Sequence, residues 1–200
     1  NMNEVVAHLA SARLGDGRKV HPNDHVNRCQ SSNDTIPSAL QLSAAMAIEE
    51  ALIPALVELQ TALARKADEF WPVVKTGRTH LQDATPIRLG QEFRGYAGQV
   101  EEAIRRCQAA RDELLTVPLG GTAVGTGVNT PKDFGRIVAG RLAGRTKYPF
   151  VEADNHFAAQ AVMDSAVELS GQLKTAASSF MKMANDLRWM NSGPVAGLGE

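Results

Sequence analysis

The chain has 200 residues, 44% of them hydrophobic, which is enough for one domain, or one domain and part of a second, around a sizeable core. Its formal net charge is −1 and its aromatic fraction 5%, which excludes the basic field and the stacking platforms that nucleic acid or an anionic membrane would call for. No signal peptide and no apolar run long enough to span a bilayer stands out, and the two cysteines, Cys29 and Cys107, lie far apart without metal or redox spacing. A reduced compartment, cytoplasm or organelle matrix, is therefore expected. The ends read as cut: the chain opens at Asn1-Met2-Asn3 and closes at Gly197-Leu198-Gly199-Glu200, so a piece of something larger is expected.

The first stretch to break helical periodicity is Arg18 to Asp34. A helix is expected to start near Asp34-Thr35, with Pro37 in its first turn, where a missing N–H costs nothing. Leu52, Leu56, Leu59, Leu63, Ala67 and Phe70 form its apolar seam, and Pro54 inside it is expected to kink it. The second break is Lys75 to Pro86. A seam follows at Leu89, Phe93, Tyr96, Val100, Ala103 and Cys107, with Leu114 further on. After the third break, Leu119 to Pro131, a shorter helix is expected around Lys132 to Arg145. The longest seam runs Val162, Ala166, Leu169, Leu173, Ala176, Phe180, Met183, Leu187 and Met190, in alternating steps of four and three.

Each long helix would have roughly 30 residues and a length of about 45 Å. Three such rods leave apolar surface that other subunits are expected to cover. No segment alternates with period two for long, so strands should be few and the fold all-α, a bundle of long helices. No fixed-period repeat or low-complexity linker is visible.

The three breaks carry the polar chemistry. The first holds Arg18, Lys19, His21, Pro22, Asn23, Asp24 and His25, and ends in Ser31-Ser32-Asn33-Asp34. Ser31, Ser32 and Asn33 before a helix suit a carboxylate at the helix N-terminus, and equally suit a helix cap. His21 and His25 have a spacing of four, but Pro22 argues against a helix there and no third ligand stands out, so no metal is expected. In the second break, His80 is the group best able to move a proton near neutral pH, oriented by Asp83 or by a carboxylate from elsewhere, although a lone histidine is more often structural. The third, Gly120-Gly121-Thr122-Ala123-Val124-Gly125-Thr126-Gly127, is not a phosphate loop, because Gly125 is followed by Thr126 rather than Lys-Ser/Thr. It also lacks the third glycine of a dinucleotide fingerprint, so a tight turn admitting close neighbours is expected.

His21-Pro22-Asn23-Asp24, Ser31-Ser32-Asn33-Asp34, Gly77-Arg78-Thr79-His80-Leu81-Gln82-Asp83-Ala84 and the glycine-rich stretch occur in an order and at spacings that resemble the class II fumarases of the fumarase–aspartase superfamily. Ala184-Asn185-Asp186-Leu187-Arg188-Trp189, Ser192-Gly193-Pro194 and the opening Asn1-Met2-Asn3-Glu4-Val5 extend the likeness to essentially the whole chain. Thr79-His80 and Ser31-Ser32-Asn33 resemble fumarases; aspartate ammonia-lyases usually carry Gln where His80 stands and Ser-Thr-Asn in the earlier motif.

The resemblance implies reversible dehydration of (S)-malate to fumarate in the tricarboxylic acid cycle, with no metal and no organic cofactor. It implies a homotetramer with active sites assembled from several subunits, and neither nucleic acid nor membrane as partner. Residues 1–35 would be the end of an N-terminal domain and 36–200 an incomplete central helical bundle. Ser31, Ser32, Asn33 and Thr79 match substrate-binding positions, and His80 a proton-transfer position on the water side of the reaction. Arg18, His21, Pro22, Asn23 and Asp24 match a second dicarboxylate-binding loop. The family's mobile Gly-Ser-Ser-x-Met-Pro-x-Lys-x-Asn-Pro segment, with the serine favoured as base, would follow Glu200, and a Ser-Gly-Thr stretch would precede Asn1. The chain by itself is therefore expected to turn over little substrate. Two other readings remain open: an aspartate ammonia-lyase, and a non-catalytic helical oligomerisation scaffold.

Overall fold

Apolar residues spaced three and four apart become helices in the computed structural model, which describes residues 1–195 and 197–199. Helix α1 spans Met2–Leu14, α2 Ser32–Ala47, α3 Ile53–Glu69, α4 Leu89–Glu113, α5 Phe134–Thr146, α6 His156–Ala161 and α7 Asp164–Met190. Strands are few among the described residues, as expected. Strand β1 (Val74–Thr79) pairs antiparallel with β2 (Gln82–Arg88), and β3 (Thr116–Val117) pairs parallel with β4 (Val151–Glu152).

Local differences from the sequence reading have local causes. Helix α2 starts at Ser32, two residues before the expected point, because Ser31 caps it: the Thr35 N–H donates to the Ser31 carbonyl at 3.0 Å. Pro37 consequently lies inside the helix rather than in its first turn. Ahead of Pro54 the chain makes a π-helical turn, Ile48–Leu52, in which the Ile53 N–H reaches back to the Ile48 carbonyl. That wider turn takes up the residue without an N–H and carries the helix on. Val162 is extended (φ −144°) and ends α6, so the last seam begins at Ala166.

Two compact units divide the chain, Asn1–Ala45 with Glu113–Ala166, and Met46–Asp112 with Val167–Glu200. In the first, α1 packs on a π-helical turn at Pro22–Val26, and α5 packs on β4. Leu114, Val117, Pro118 and Phe150 are buried there. Gln41 ties α2 to β3, its Nε2 donating to the Thr116 carbonyl at 2.8 Å.

In the second unit the three predicted seams meet. Leu56 from α3, Tyr96, Val100 and Cys107 from α4, and Met183 from α7 form one buried cluster. Phe70, Phe93 and Tyr96 stack edge to face, with centroids 5.1 and 5.6 Å apart. An ion pair between Arg111 and Glu49 fastens α4 to the π-helical turn. Each rod buries only one stripe, so Leu59, Leu173 and Leu187 on the same seams stay partly exposed.

One expectation needs correction. The continuous helix Ser32–Glu69 is long and apolar enough to cross a membrane, with a mean hydropathy of 1.5 over 18 residues. Only 22% of that window is buried within the chain. Pro37, Pro54 and the Glu49-Glu50 pair punctuate the run and hide its length in the sequence. Core helices of water-soluble bundles pass the same test, since an all-round apolar helix marks burial of any kind.

Candidate active site

Each polar break has a definite local geometry. In the first, the Pro22–Val26 turn is capped by His21, whose Nδ1 accepts from the Asn23 and Asp24 N–H groups at 3.3 and 3.2 Å. Asp24 Oδ2 also lies 3.2 Å from that nitrogen, a contact only a protonated ring could make as an ion pair. The two uses exclude each other. The Nδ1 lone pair, accepting from two backbone donors, is what holds the turn. His25 Nδ1 likewise accepts, from the His21 N–H at 2.8 Å. Arg18 is held by Asp16, Nε to Oδ2 at 2.7 Å. His21, Asn23 and Asp24 are gathered, all exposed, around one turn, with Pro22 half-buried at its start, while Arg18, also exposed, is tied to Asp16 ahead of it.

At the start of α2 both sequence readings apply, but to different residues. Ser31 is the cap: its Oγ accepts from the Asn33 N–H at 3.2 Å, and its own N–H donates to Asp34 Oδ1 at 2.9 Å. This reciprocal pair is a capping box with Asp in place of Glu. Ser32 is exposed and makes no side-chain hydrogen bond among the described residues. Asn33, also exposed, donates through Nδ2 to the Ala123 carbonyl at 2.7 Å.

Sequence reasoning missed the most connected residue of this region. Asp34 is fully buried, and its Oδ2 accepts from the Gly120 and Thr122 N–H groups at 3.2 and 2.8 Å. The glycine-rich loop is therefore a turn, as expected, and its N–H groups close on a carboxylate of the same chain. Gln160 holds the loop from the other side, Nε2 to the Thr122 carbonyl at 2.7 Å. Asp34 had a signal in the sequence, the capping preference of Asp, but nothing local announced its second oxygen's partners.

The second break is a hairpin rather than a loop. Thr79 pairs with Gln82 across a two-residue turn formed by His80 and Leu81, with φ of 53° and 60°. Positive φ at both central residues is the type I′ arrangement, which matches strand twist but normally selects Asn-Gly. A leucine there is strained, by roughly 1–2 kcal/mol. Such outliers cluster where function fixes the backbone. The register slips between Thr76 and Arg78, setting Gly77 opposite a bulge in β2. A Cβ on Gly77 would lie 2.5 Å from the Thr85 carbonyl oxygen, so only glycine fits.

Thr79 and His80 are exposed at the hairpin tip. Asp83 does not orient His80; it pairs with Arg78 at 3.4 Å, directly across the ladder. His80 lines a cleft of about 550 Å³ with Lys75, Arg78, Tyr96, Lys182 and Asp186. The charges in it are paired: Lys75 with Glu92 at 3.2 Å, and Lys182 with Asp186, which also accepts from the Tyr96 hydroxyl at 2.9 Å. Burial first, then the hydrogen bond and charge of Asp186, push the Tyr96 phenol far above the usual tyrosine range, so it stays a donor. Ser31–Asn33 belong to the first unit, and Thr79 and His80 to the second.

Comparison with known proteins places this geometry in a family. The family model Lyase_1, described as "Lyase", matches residues 1–200. A class II fumarate hydratase of Nitrosomonas europaea is 52% identical over all of this chain and 44% of its own length. The mitochondrial fumarate hydratase of Rattus norvegicus is 50% identical over all of the chain and 40% of its own length. Among solved structures, a class II fumarase from Schistosoma mansoni superposes with a TM-score of 0.92 at 39% identity, covering 99% of this chain and 45% of that one. The chain thus spans less than half the length of the relatives it matches.

Proposed function

Because the chain belongs to the lyase family, we propose that it forms part of a class II fumarate hydratase, which interconverts (S)-malate and fumarate plus water. The observation that carries this reading is identity of 50–52% across the whole chain to fumarate hydratases from bacteria and mitochondria, with the fumarase-like Thr79-His80 pair at a strained hairpin tip.

In the forward dehydration, the C–H beside one carboxylate of malate loses its proton. The electron pair moves into that carboxylate as an aci-carboxylate, then forms the double bond as the C–O bond breaks. The departing hydroxide takes a proton from the His80 imidazolium, directly or through a water, and leaves as water. In the reverse direction neutral His80 takes the proton from water. Ser31, Ser32, Asn33 and Thr79 donate to the substrate carboxylates, where charge accumulates and preorganised donors lower the barrier most. The base for the carbon-bound proton is expected in the serine-bearing segment of the family. The Arg18, His21, Pro22, Asn23 and Asp24 turn is a second dicarboxylate site.

The half-covered seams on α3 and α7 support a homotetramer in which copies of the chain complete the bundle and share active sites. The compartment in this reading is the cytoplasm, or the mitochondrial matrix in a eukaryote. The test is fumarate formation, followed by ultraviolet absorbance, from L-malate and separately from L-aspartate, with the full-length gene product. Fumarate from malate alone is the expected result; fumarate from aspartate alone would make the protein an ammonia-lyase, and silence with both would favour a helical scaffold.

A further inference from the structure

We propose that Asp34 is the positioning residue of the substrate-binding segment: its buried carboxylate pins the start of α2 to the glycine-rich loop and thereby fixes Ser31, Ser32 and Asn33. The proposal rests on the reading of those three residues as substrate-binding.

A helix cap needs one oxygen, and Asp34 has that in Oδ1, which accepts from the Ser31 N–H at 2.9 Å and from the Thr35 hydroxyl at 3.3 Å. The second oxygen serves a segment 86 to 88 residues away, through Gly120 and Thr122. A carboxylate with no exposed surface loses its hydration and persists only when hydrogen bonds replace it. Three N–H donors do so here, joined by the Thr35 hydroxyl, whose one proton is shared with Gln30 Oε1 at 3.3 Å. The Gly120 and Thr122 N–H groups, in a turn where Gly120 (φ 114°) and Thr122 (φ 57°) both have positive φ, converge on Oδ2, as turn N–H groups do when they receive an anion.

The loop has little room to move away. A Cβ on Gly120 would meet Gly135 Cα at 2.7 Å, so the loop is in backbone contact with α5. Thr122 is held at both its N–H, by Asp34, and its carbonyl, by Gln160. From this fixed loop the Ala123 carbonyl receives Asn33 Nδ2 at 2.7 Å, which orients the Asn33 amide. The chain of dependence runs from Asp34 to the loop, from the loop to Asn33, and from the capping box to Ser31.

The experiment uses the full-length gene product, assayed well below the melting temperature of every variant. Asp34→Asn keeps the side chain's size but turns one acceptor into an NH2 group facing N–H donors. Expected are a fall in kcat/KM for malate of about 10²-fold, as for an ångström-scale misplacement, and a loss of coupling. Asn33→Ala should cost far less in the Asp34→Asn background than in the wild type. A lowered melting temperature with unchanged kcat/KM and an undiminished Asn33→Ala effect would make Asp34 a stability residue only and overturn the proposal. Amide hydrogen exchange provides the independent readout. Segments 31–35 and 119–124 should lose protection together in Asp34→Asn, and protection lost in one segment alone also overturns it. If the wild type is silent on malate while both segments lose protection together, the pin stands and the fumarase reading fails. Should Asp34→Asn not fold, Gln160→Leu releases Thr122 from the opposite side. A joint loss of protection is expected there too, and its absence counts against the proposal.

Discussion

Gly77→Ala tests whether the hairpin sets the position of His80. The added Cβ would lie 2.5 Å from the Thr85 carbonyl oxygen, a backbone atom that cannot swing aside. An ordinary carbon–oxygen contact needs about 3.3 Å, so the bulge must open by about 0.8 Å. Overpacking of this kind costs about 1–3 kcal/mol, or a fall in melting temperature of roughly 2–12 °C for a chain of this size. The disturbance arises two residues before Thr79 and three before His80. In the proposed reading His80 is a reacting group, and misplacing one by about 1 Å costs on the order of 10²-fold in rate, so kcat for malate in the full-length gene product should fall between about 10- and 100-fold. Circular dichroism melting and steady-state fumarate formation read the two effects. A melting temperature and kcat both equal to wild type would show slack in the bulge and refute the steric reasoning. A lowered melting temperature with normal kcat would break the link from hairpin to His80.

His80→Asn in the full-length gene product should lower kcat by about 10²-fold or more; near-wild-type kcat removes the imidazole from the mechanism. Leu114 is fully buried in the first unit, and Leu114→Ala should cost about 2–5 kcal/mol in urea unfolding. A cost below about 1 kcal/mol would mean that the site collapses around the gap. Tyr96 gives a pH prediction. Its folded pKa is raised by burial and by Asp186, while the unfolded side chain ionises near pH 10. Above that pH the unfolded state binds fewer protons than the folded state, so the contribution of Tyr96 is complete below about pH 10 and is lost as pH rises further. Tyr96→Phe should cost about 1–3 kcal/mol at neutral pH through the lost hydrogen bond to Asp186, and should flatten the alkaline decline. Identical alkaline slopes in variant and wild type would contradict this.

What the sequence made legible was whatever depends on spacing along one helix. Leu56, Val100, Cys107 and Met183 were all placed on seams by their intervals alone, and they form the buried cluster of the second unit. The start of α2 came within two residues, because capping chemistry is local. The hairpin was not legible. Its strands mix Lys75, Gly77, Arg78, Asp83 and Pro86 without alternation, and its turn uses His80-Leu81 where the conformation favours Asn-Gly. The usual sequence signal is missing because a turn chosen for local ease would not have carried a histidine. The π-helical turn at Ile48–Leu52 stands where the sequence implies a kink at Pro54, since a proline announces a missing hydrogen bond but not how the helix absorbs it.

The glycine-rich loop shows a different limit. Gly120 to Gly127 lacks the residues by which phosphate and dinucleotide patterns serve a ligand from outside. The backbone nevertheless does what such patterns exist to do, presenting N–H groups to an anion, and the anion is the Asp34 carboxylate. Its charge and both N–H groups are thereby satisfied out of solvent, which leaves the loop a structural receptor. The helix start it supports keeps Ser32 exposed at its first turn, where the backbone donors and the helix dipole still favour a carboxylate. In the proposed reading, an internal anion occupies one receptor so that a neighbouring one is held in shape for substrate, a division of labour that no single motif encodes. It is set by a contact across 86 residues, and it makes the coupling between Asp34 and Asn33 the measurement that separates a working site from a well-capped helix.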